Sequence, residues 1–328
     1  MTGPCCSPGR TESPQPAGST APVVGGRGSV PTLVTVPSGR YQVGDESEWS
    51  YPTDGEGPVH PVSLPSFGIG SCAVTNREFS AFVADTGWRT EAESYGWSFV
   101  FGGLLPDDFP PTRGVQAAPW WRQVEEADWR HPEGPGSDTA GRSDHPVVHV
   151  SWNDAQAFCA WSGTRLPTEA EWEVAARGGL EGQAFPWGDQ LEPGGVHRMN
   201  TFQGEFPGGN TGVDGYLGTA PVDAFEPNGY GIYNMTGNVW EWCHDWLDVG
   251  YYANSPVESP EGPASGSFRA QRGGSYLCHA SYCRRYRVSA RFGSTPESTS
   301  GNVGFRVAAA AAPYVGRDDR DGDIARSG

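Results

Sequence analysis

The chain has 328 residues, 39 acidic against 22 basic side chains, a formal net charge of −17 and no lysine, so every basic side chain is arginine. The acidic balance argues against a nucleic-acid partner, which wants a basic face, and the missing lysine excludes a Walker-A phosphate loop, Schiff-base chemistry and a pyridoxal-phosphate lysine. With 47 Gly, 29 Pro, 13 Trp, 12 Tyr and 14 Phe, the composition describes one large or two small loop-rich units pinned by aromatic side chains.

Residues 1–30 are rich in Pro, Gly, Ser and Thr without periodicity and read as a disordered tail, in which the adjacent Cys5 and Cys6 are incidental exposed thiols. The folded body spans 31–308, and 309–328 reads as an alanine run followed by a charged flexible tail. Three helices are announced by capping boxes. Thr75-Asn-Arg-Glu78 opens the first, which Gly87 stops; Ser151-Trp-Asn-Asp154 opens the second, which ends at Gly163. Thr168-Glu-Ala-Glu171 opens the third, with Gly178 and Gly179 as its stop. Strands are expected at 32–36, 59–64, 147–150, 268–272 and 304–307. From 178 to 238 the chain is nearly all Gly, Pro, Asn and aromatic residues, and a loop of that length in a compact domain is functional or held by a ligand. The class is α+β with few short helices, small sheets and much irregular loop.

The seven cysteines, at 5, 6, 72, 159, 243, 278 and 283, are odd in number and unevenly spaced, a poor disulfide framework. No apolar run of signal-peptide or membrane-span length occurs, so the protein reads as cytoplasmic with mostly reduced thiols. Cys159, on the inward face of the second helix, reads as a small core residue. Residues 269–291 hold six arginines, no acid, Ser275, a histidine, three tyrosines, Cys278 and Cys283. Positive surroundings lower a thiol's pKa, so chemistry is expected here. Four residues separate the two cysteines, which is neither a Cys-x-x-Cys redox motif nor half of a zinc finger. A disulfide, two unrelated thiols and a two-thiolate site for a soft ion such as Cu(I) all stay open.

Two oxygen-rich loops follow, one flanked by Asn200 and Asp214, the other by Asn234 and Glu241. Such loops can offer hard oxygen ligands to Ca²⁺, but without an EF-hand pattern turn formation is the plainer reading of these side chains. His145-Pro-Val-Val-His149 could set two imidazoles on one strand face, with strand packing as the plainer reading. Neither His-Glu-x-x-His, Gly-x-Ser-x-Gly nor a dinucleotide fingerprint after a strand is present.

Taken in order, His145-Pro-Val-Val-His-Val-Ser-Trp-Asn-Asp154, Arg165-Leu-Pro-Thr-Glu-Ala-Glu-Trp-Glu173, Phe185-Pro-Trp-Gly188 and Gly204-Glu-Phe-Pro207 resemble segments of the formylglycine-generating, or sulfatase-modifying, family. The likeness continues through Gly218-Thr-Ala-Pro-Val-Asp223, Asn228-Gly-Tyr-Gly231, Gly237-Asn-Val-Trp-Glu-Trp242, Gly273-Gly-Ser-Tyr276 and Asn302-Val-Gly-Phe-Arg306. The discriminating part is 273–283, because catalytic members carry this cysteine pair.

The resemblance implies a single domain of C-type-lectin-like, sulfatase-modifying-factor fold. It implies an oxidase that converts the cysteine of a Cys-x-Pro-x-Arg segment in an unfolded sulfatase to Cα-formylglycine. By the same resemblance Cys278 and Cys283 would bind Cu(I), with O₂ as oxidant. Ser275, Tyr282 and Arg291 would complete the catalytic pocket, and Asn302, Trp240 and Ser98 would line the substrate groove. One Ca²⁺ would take Asn200, Thr201, Asp214 and Tyr216, and a second Asn234, Gly237, Val239 and Glu241.

Partners beyond the sulfatase chain are not expected: no nucleic acid, no membrane, and a monomer. The sequence departs from secreted animal members in two ways. Their disulfide partners for Cys159 and position 176 are Val307 and Val288 here, and Trp97 stands where they have a carboxylate near the substrate's arginine. A non-catalytic binding module on the same fold is the alternative, and a thiol–disulfide oxidoreductase would be distinguished by working without copper or O₂.

Overall fold

Each α-helix starts on a hydroxyl side chain that closes a capping box and ends on a left-handed glycine. In the computed structural model, which describes residues 6–10 and 31–311, these are α1 (Asn76–Thr86), α2 (Glu91–Tyr95), α3 (Trp152–Ser162) and α4 (Glu169–Arg177). Their caps are Thr75, Thr90, Ser151 and Thr168, and their stops Gly87, Gly96, Gly163 and Gly178. A cap of this kind contributes about 1 kcal/mol, which matters for helices of two or three turns. Helix α2 was not expected, although Thr90-Glu-Ala-Glu93 followed by Gly96 is the same signal.

Among the described residues the strands are short and spread over five small sheets. The one that positions the site has four strands in the order Arg291–Ser294, Arg269–Arg272, Trp240–Trp246, Val303–Gly304. Its first three are antiparallel and the last is parallel to Trp240–Trp246. Beside it, Trp97–Phe101 pairs with Ala118–Glu125, and a parallel bridge joins Phe99 to Ser300.

Two strand expectations are corrected. Residues 147–150 form no strand; they are a buried connection tied by Val147 N–H to the Val74 carbonyl and His149 N–H to that of Ser300. Residues 304–307 are split, with Val303–Gly304 in the four-stranded sheet and Ala308–Ala310 pairing with Phe67–Gly70. The folded body therefore runs to Ala310 rather than stopping at 308, while 312–328 lie outside the described residues.

Helices α1 and α3 face one another through Phe79, Phe82 and Phe158, with Phe79 stacked on Phe158 at 6.1 Å. Cys159 and Val307 share that core, as Ala176 and Val288 share a second, so apolar packing stands at both positions where animal relatives were expected to be bridged. Every residue of α4 is buried, including three glutamates, so its charges need partners inside the protein. Among the described residues no helix is long and apolar enough to cross a membrane.

Candidate active site: a buried thiol pair at one end of the central sheet

Strands Arg269–Arg272 and Arg291–Ser294 are neighbours joined by a long excursion, and Cys278 and Cys283 lie within it. The excursion leaves its first strand through Gly273 and Gly274, both at positive φ. A Cβ on Gly274 would sit 2.8 Å from the Arg285 carbonyl oxygen, so only glycine lets the two limbs of the loop approach this closely. Cys278 N–H then donates to the Ser275 carbonyl at 2.9 Å, and Cys283 N–H to that of His279 at 2.8 Å. These turns bring the sulfurs of Cys278 and Cys283 to 3.3 Å, in contact but not bonded, with both side chains buried.

Burial opposes ionisation of both thiols. At Cys283 hydrogen bonds with Cys278 and Cys6, together with the Arg285 guanidinium, overcome it and hold the pKa well below the ordinary thiol value. At Cys278 burial, reinforced by the bond to Cys283 and by its charge, drives the pKa well up. The two thiols are thus pushed in opposite directions, Cys283 toward and Cys278 away from ionisation.

The arginine-rich composition around the pair acts differently from the sequence expectation. Arg272 meets Glu169 and Glu173, Arg287 meets Glu56 and Asp45, and Arg291 is held by Glu169. Arg269 lies over Trp152 and Trp246. Most of these cations tie the loop to acids elsewhere in the fold rather than bathing the sulfurs in positive field. Arg285 is the exception: its Nη1 is 4.0 Å from Cys283 Sγ, while its Nε donates to Asp54 at 2.5 Å.

Residues 6–10, expected to be disordered, lie in a groove against this pair. Cys6, expected to be exposed and incidental, is only 2% exposed, with Sγ 3.1 Å from Cys283 Sγ and 3.3 Å from Arg285 Nη1. Its carbonyl accepts from Asn302 Nδ2 at 2.8 Å. Ser7 Oγ is 3.3 Å from Ser300 Oγ, and Arg10 N–H donates to Ser298 Oγ at 3.1 Å. The Arg10 guanidinium lies over the rings of Tyr95 and Trp97, 4.1 and 3.9 Å from their centroids, and donates to the Trp97 carbonyl and to Thr299 Oγ1. Two aromatic faces, one of them the Trp97 that stands where animal members have a carboxylate, and two neutral oxygens thus receive an arginine. Cys5 lies outside the described residues.

The fold gathers some of the expected site residues and disperses others. Ser275 Oγ accepts from Asn302 Nδ2 at 2.9 Å, so both border the groove beside the thiols. Ser98 is also there: its hydroxyl meets Thr299 Oγ1 at 2.7 Å and His149 Nδ1 at 2.8 Å. Tyr282 stacks on Phe206 at 4.0 Å and edges against Trp120, but its hydroxyl donates to the Leu277 carbonyl rather than pointing at the sulfurs. Trp240 is wholly buried, packed against Phe292 in the same core cluster as Cys6, Cys278 and Cys283. Arg291 makes a two-pronged pair with Glu169 and donates to the Gly55 carbonyl, so its hydrogen bonds go to neither thiol. Arg285, Thr299, Tyr95 and residues 6–10 were not singled out. The five-residue pattern Cys6-Ser7-Pro8-Gly9-Arg10 was the available signal.

The donor sets can be tested against the expected ions. Sulfur is the only donor at the thiol pair, which suits a soft ion such as Cu(I). Among the described residues no three His, Cys, Asp or Glu side chains form a ready metal cage, so such an ion would rest on the two thiols. In the first oxygen-rich loop Asn200 Oδ1 is buried without a hydrogen-bond partner, and Asp214 is oriented by the N–H groups of Thr201 and Tyr216. Burial raises the Asp214 pKa, a cost that a bound cation would reverse. In the second, Asn234 Oδ1 is likewise buried and unpartnered. Glu241, however, already accepts from Arg306 through both oxygens and from Trp172, leaving less capacity for an ion. The first set therefore fits Ca²⁺ better than the second.

A cavity of about 620 Å³, lined by Trp49, Phe185, Leu191, Glu46 and Tyr286, lies beside the thiol loop rather than at the sulfurs, where residues 6–10 fill the groove.

Residues 20–311 match the family model described as sulfatase-modifying factor enzyme 1-like domain. The chain belongs to this sulfatase-modifying family. Over 281 residues it is 54% identical to the formylglycine-generating enzyme of Thermomonospora curvata, covering 84% of this chain and 93% of that one. It is 54% identical to the enzyme of the same name from Streptomyces coelicolor, covering 90% and 95%. Among solved structures it resembles PvdO from Pseudomonas aeruginosa, with a TM-score of 0.60 and 27% identity over 86% of this chain and 95% of that one. The family's fold, few helices and small sheets linked by long loops, is the one described above.

Proposed function

We propose that this protein converts the cysteine of a Cys-x-Pro-x-Arg segment in a sulfatase polypeptide to Cα-formylglycine, with Cu(I) held by Cys278 and Cys283 and O₂ as oxidant. The observation that carries the reading is the unbonded, buried Cys278–Cys283 pair with a third thiol delivered beside it along a groove that also receives an arginine. Homologues named formylglycine-generating enzyme, at about half identity over nearly the whole body, support it.

Cu(I) bound by thiolates would supply the site's reactivity toward O₂. The chain's own groups supply the rest. Hydrogen bonds with Cys278 and Cys6, together with Arg285, favour ionisation of Cys283, Asn302 fixes the carbonyl of the reacting cysteine, and Ser275 holds Asn302. Tyr95, Trp97 and Thr299 register the arginine four residues on. That two-point grip sets where the Cβ lies, which is the positional control an oxidation at one carbon requires. Burial keeps bulk water from the sulfurs.

Ca²⁺ at the Asn200–Asp214 loop, and more weakly at the Asn234–Glu241 loop, is proposed as structural, as are a monomeric state and a cytoplasmic location. The buried thiols of Cys159 and Cys243, which form no disulfide, suit a reducing compartment.

The test is mass spectrometry of a Cys-x-Pro-x-Arg peptide incubated with protein, Cu(I), air and a thiol reductant. The expected product carries the mass change of CH₂SH becoming CHO, and Cys278→Ser or Cys283→Ser abolishes it. An unchanged peptide with copper loaded would leave a binding module in its place.

A further inference from the structure

We propose that residues 6–10 are a substrate segment carried by the enzyme itself, seated in cis in its own groove and modified at Cys6. This rests on the formylglycine reading and names a substrate for it. Cys6-Ser7-Pro8-Gly9-Arg10 places cysteine, proline and arginine at the first, third and fifth positions, the pattern proposed for the sulfatase segment.

The contacts follow the same register. The cysteine sulfur is at the thiol pair, its carbonyl is on Asn302, the second side chain is on Ser300, and the arginine is between Tyr95 and Trp97. A tail resting adventitiously on the surface would leave its charged group in water, because burying a guanidinium without specific partners is strongly unfavourable. Here Arg10 is 5% exposed and Ser7 3% exposed, and both backbone and side chain of Arg10 are engaged.

Reach is no obstacle. Residues 11–30 are 20 in number, which extended could span up to about 65–70 Å, more than the width of a domain this size. A segment tethered this way acts at an effective concentration of order millimolar, so it would outcompete a free peptide of micromolar affinity.

The chemistry balances with the reactants already named. At Cys6 the Cβ–S bond and one Cβ–H bond break and a Cβ=O bond forms, the sulfur leaving as H₂S; the carbon gives up two electrons. O₂ accepts four, the other two coming from two molecules of thiol reductant that become a disulfide. One oxygen atom appears in the aldehyde and the other in water.

The test uses the full chain in two arms. Without metal, a fluorescent peptide containing Cys-Ser-Pro-Gly-Arg is titrated against wild type and Arg10→Ala, and anisotropy should show the variant binding at least about tenfold more tightly. Equal affinity would overturn the occupancy. With Cu(I), air and a thiol, peptide mapping after aminooxy capture should find the aldehyde at Cys6 and not at Cys5, at a fractional rate unchanged by dilution. A rate that falls with dilution would assign the reaction to a second copy and overturn the cis arrangement. If added peptide is converted while Cys6 stays a thiol, this proposal falls and the formylglycine reading stands; if neither is converted, both fall.

Discussion

His149 Nδ1 lies 2.8 Å from Ser98 Oγ, across 51 residues of sequence, and accepts its hydrogen bond. The direction is fixed by the other ring nitrogen: Nε2 is 2.8 Å from the Pro132 carbonyl, which can only accept, so Nε2 carries the proton and Nδ1 is the acceptor. Ser98 in turn meets Thr299, and Thr299 accepts from Arg10. A wholly buried neutral imidazole thereby polarises the chain of hydroxyls that ends at the arginine site.

Burial pushes the His149 pKa down to about 4. The folded protein therefore binds fewer protons than the unfolded chain between about pH 6.5 and 4, and stability falls as pH drops through that window. The shift corresponds to about 3 kcal/mol from this group, an upper figure. Urea unfolding at pH 7, 5.5 and 4.5 should show a shallower pH slope for His149→Asn, a residue tolerant of the left-handed backbone at φ 59°. Equal slopes would assign the acid sensitivity elsewhere.

Glu169 holds both Arg272 and Arg291 inside the protein. Glu169→Gln should cost about 3–5 kcal/mol in denaturant unfolding, because it leaves buried guanidinium charge under-compensated. Arg291→Gln should likewise lose stability while leaving peptide affinity within about twofold, as its contacts are with Glu169 and Gly55. A large loss of peptide affinity in a still-folded Arg291→Gln protein would restore a role for it at the groove.

Gly274→Ala tests whether close approach of the loop limbs makes the thiol pair. A methyl group there meets the Arg285 carbonyl at 2.8 Å, at a φ of 75° that disfavours side chains. A loss of roughly 1–3 kcal/mol is expected, together with weaker Cu(I) binding measured by competition with a chromogenic chelator. Unaltered Cu(I) affinity would show that the loop tolerates separation.

Arg285→Gln removes the cation nearest the sulfurs. The pH midpoint for alkylation of Cys283 should move upward, followed by peptide mapping in metal-free protein. An unchanged midpoint would mean that the hydrogen bonds from Cys278 and Cys6 suffice.

Calcium makes a separate claim. Chelation should lower the melting temperature of wild type, and Asp214→Ala should lower it too while reducing the further effect of chelator. Asn234→Ala should show the smaller change, since Glu241 is already engaged by Arg306. A melting temperature indifferent to chelator would remove Ca²⁺ from both loops.

What the sequence determined by itself is what depends on neighbours a few residues apart. The hydroxyl-to-Glu or -Asp boxes at Thr75, Ser151 and Thr168 and the glycine stops act within one turn, so they read correctly, and Thr90 would have read the same way. That Cys278 and Cys283 come together was legible because both lie on one short loop. Tertiary structure decided the rest. Of the six arginines that look like a positive field around the thiols, Arg272, Arg285, Arg287 and Arg291 are paired with glutamates and aspartates from distant segments, and Arg269 and Arg284 lie on aromatic rings; Arg291 and Glu169 are 122 residues apart. Cys6, in a composition that signals disorder, reaches a sulfur 277 residues away, because a groove with matching partners outweighs the entropy that low complexity otherwise leaves uncompensated.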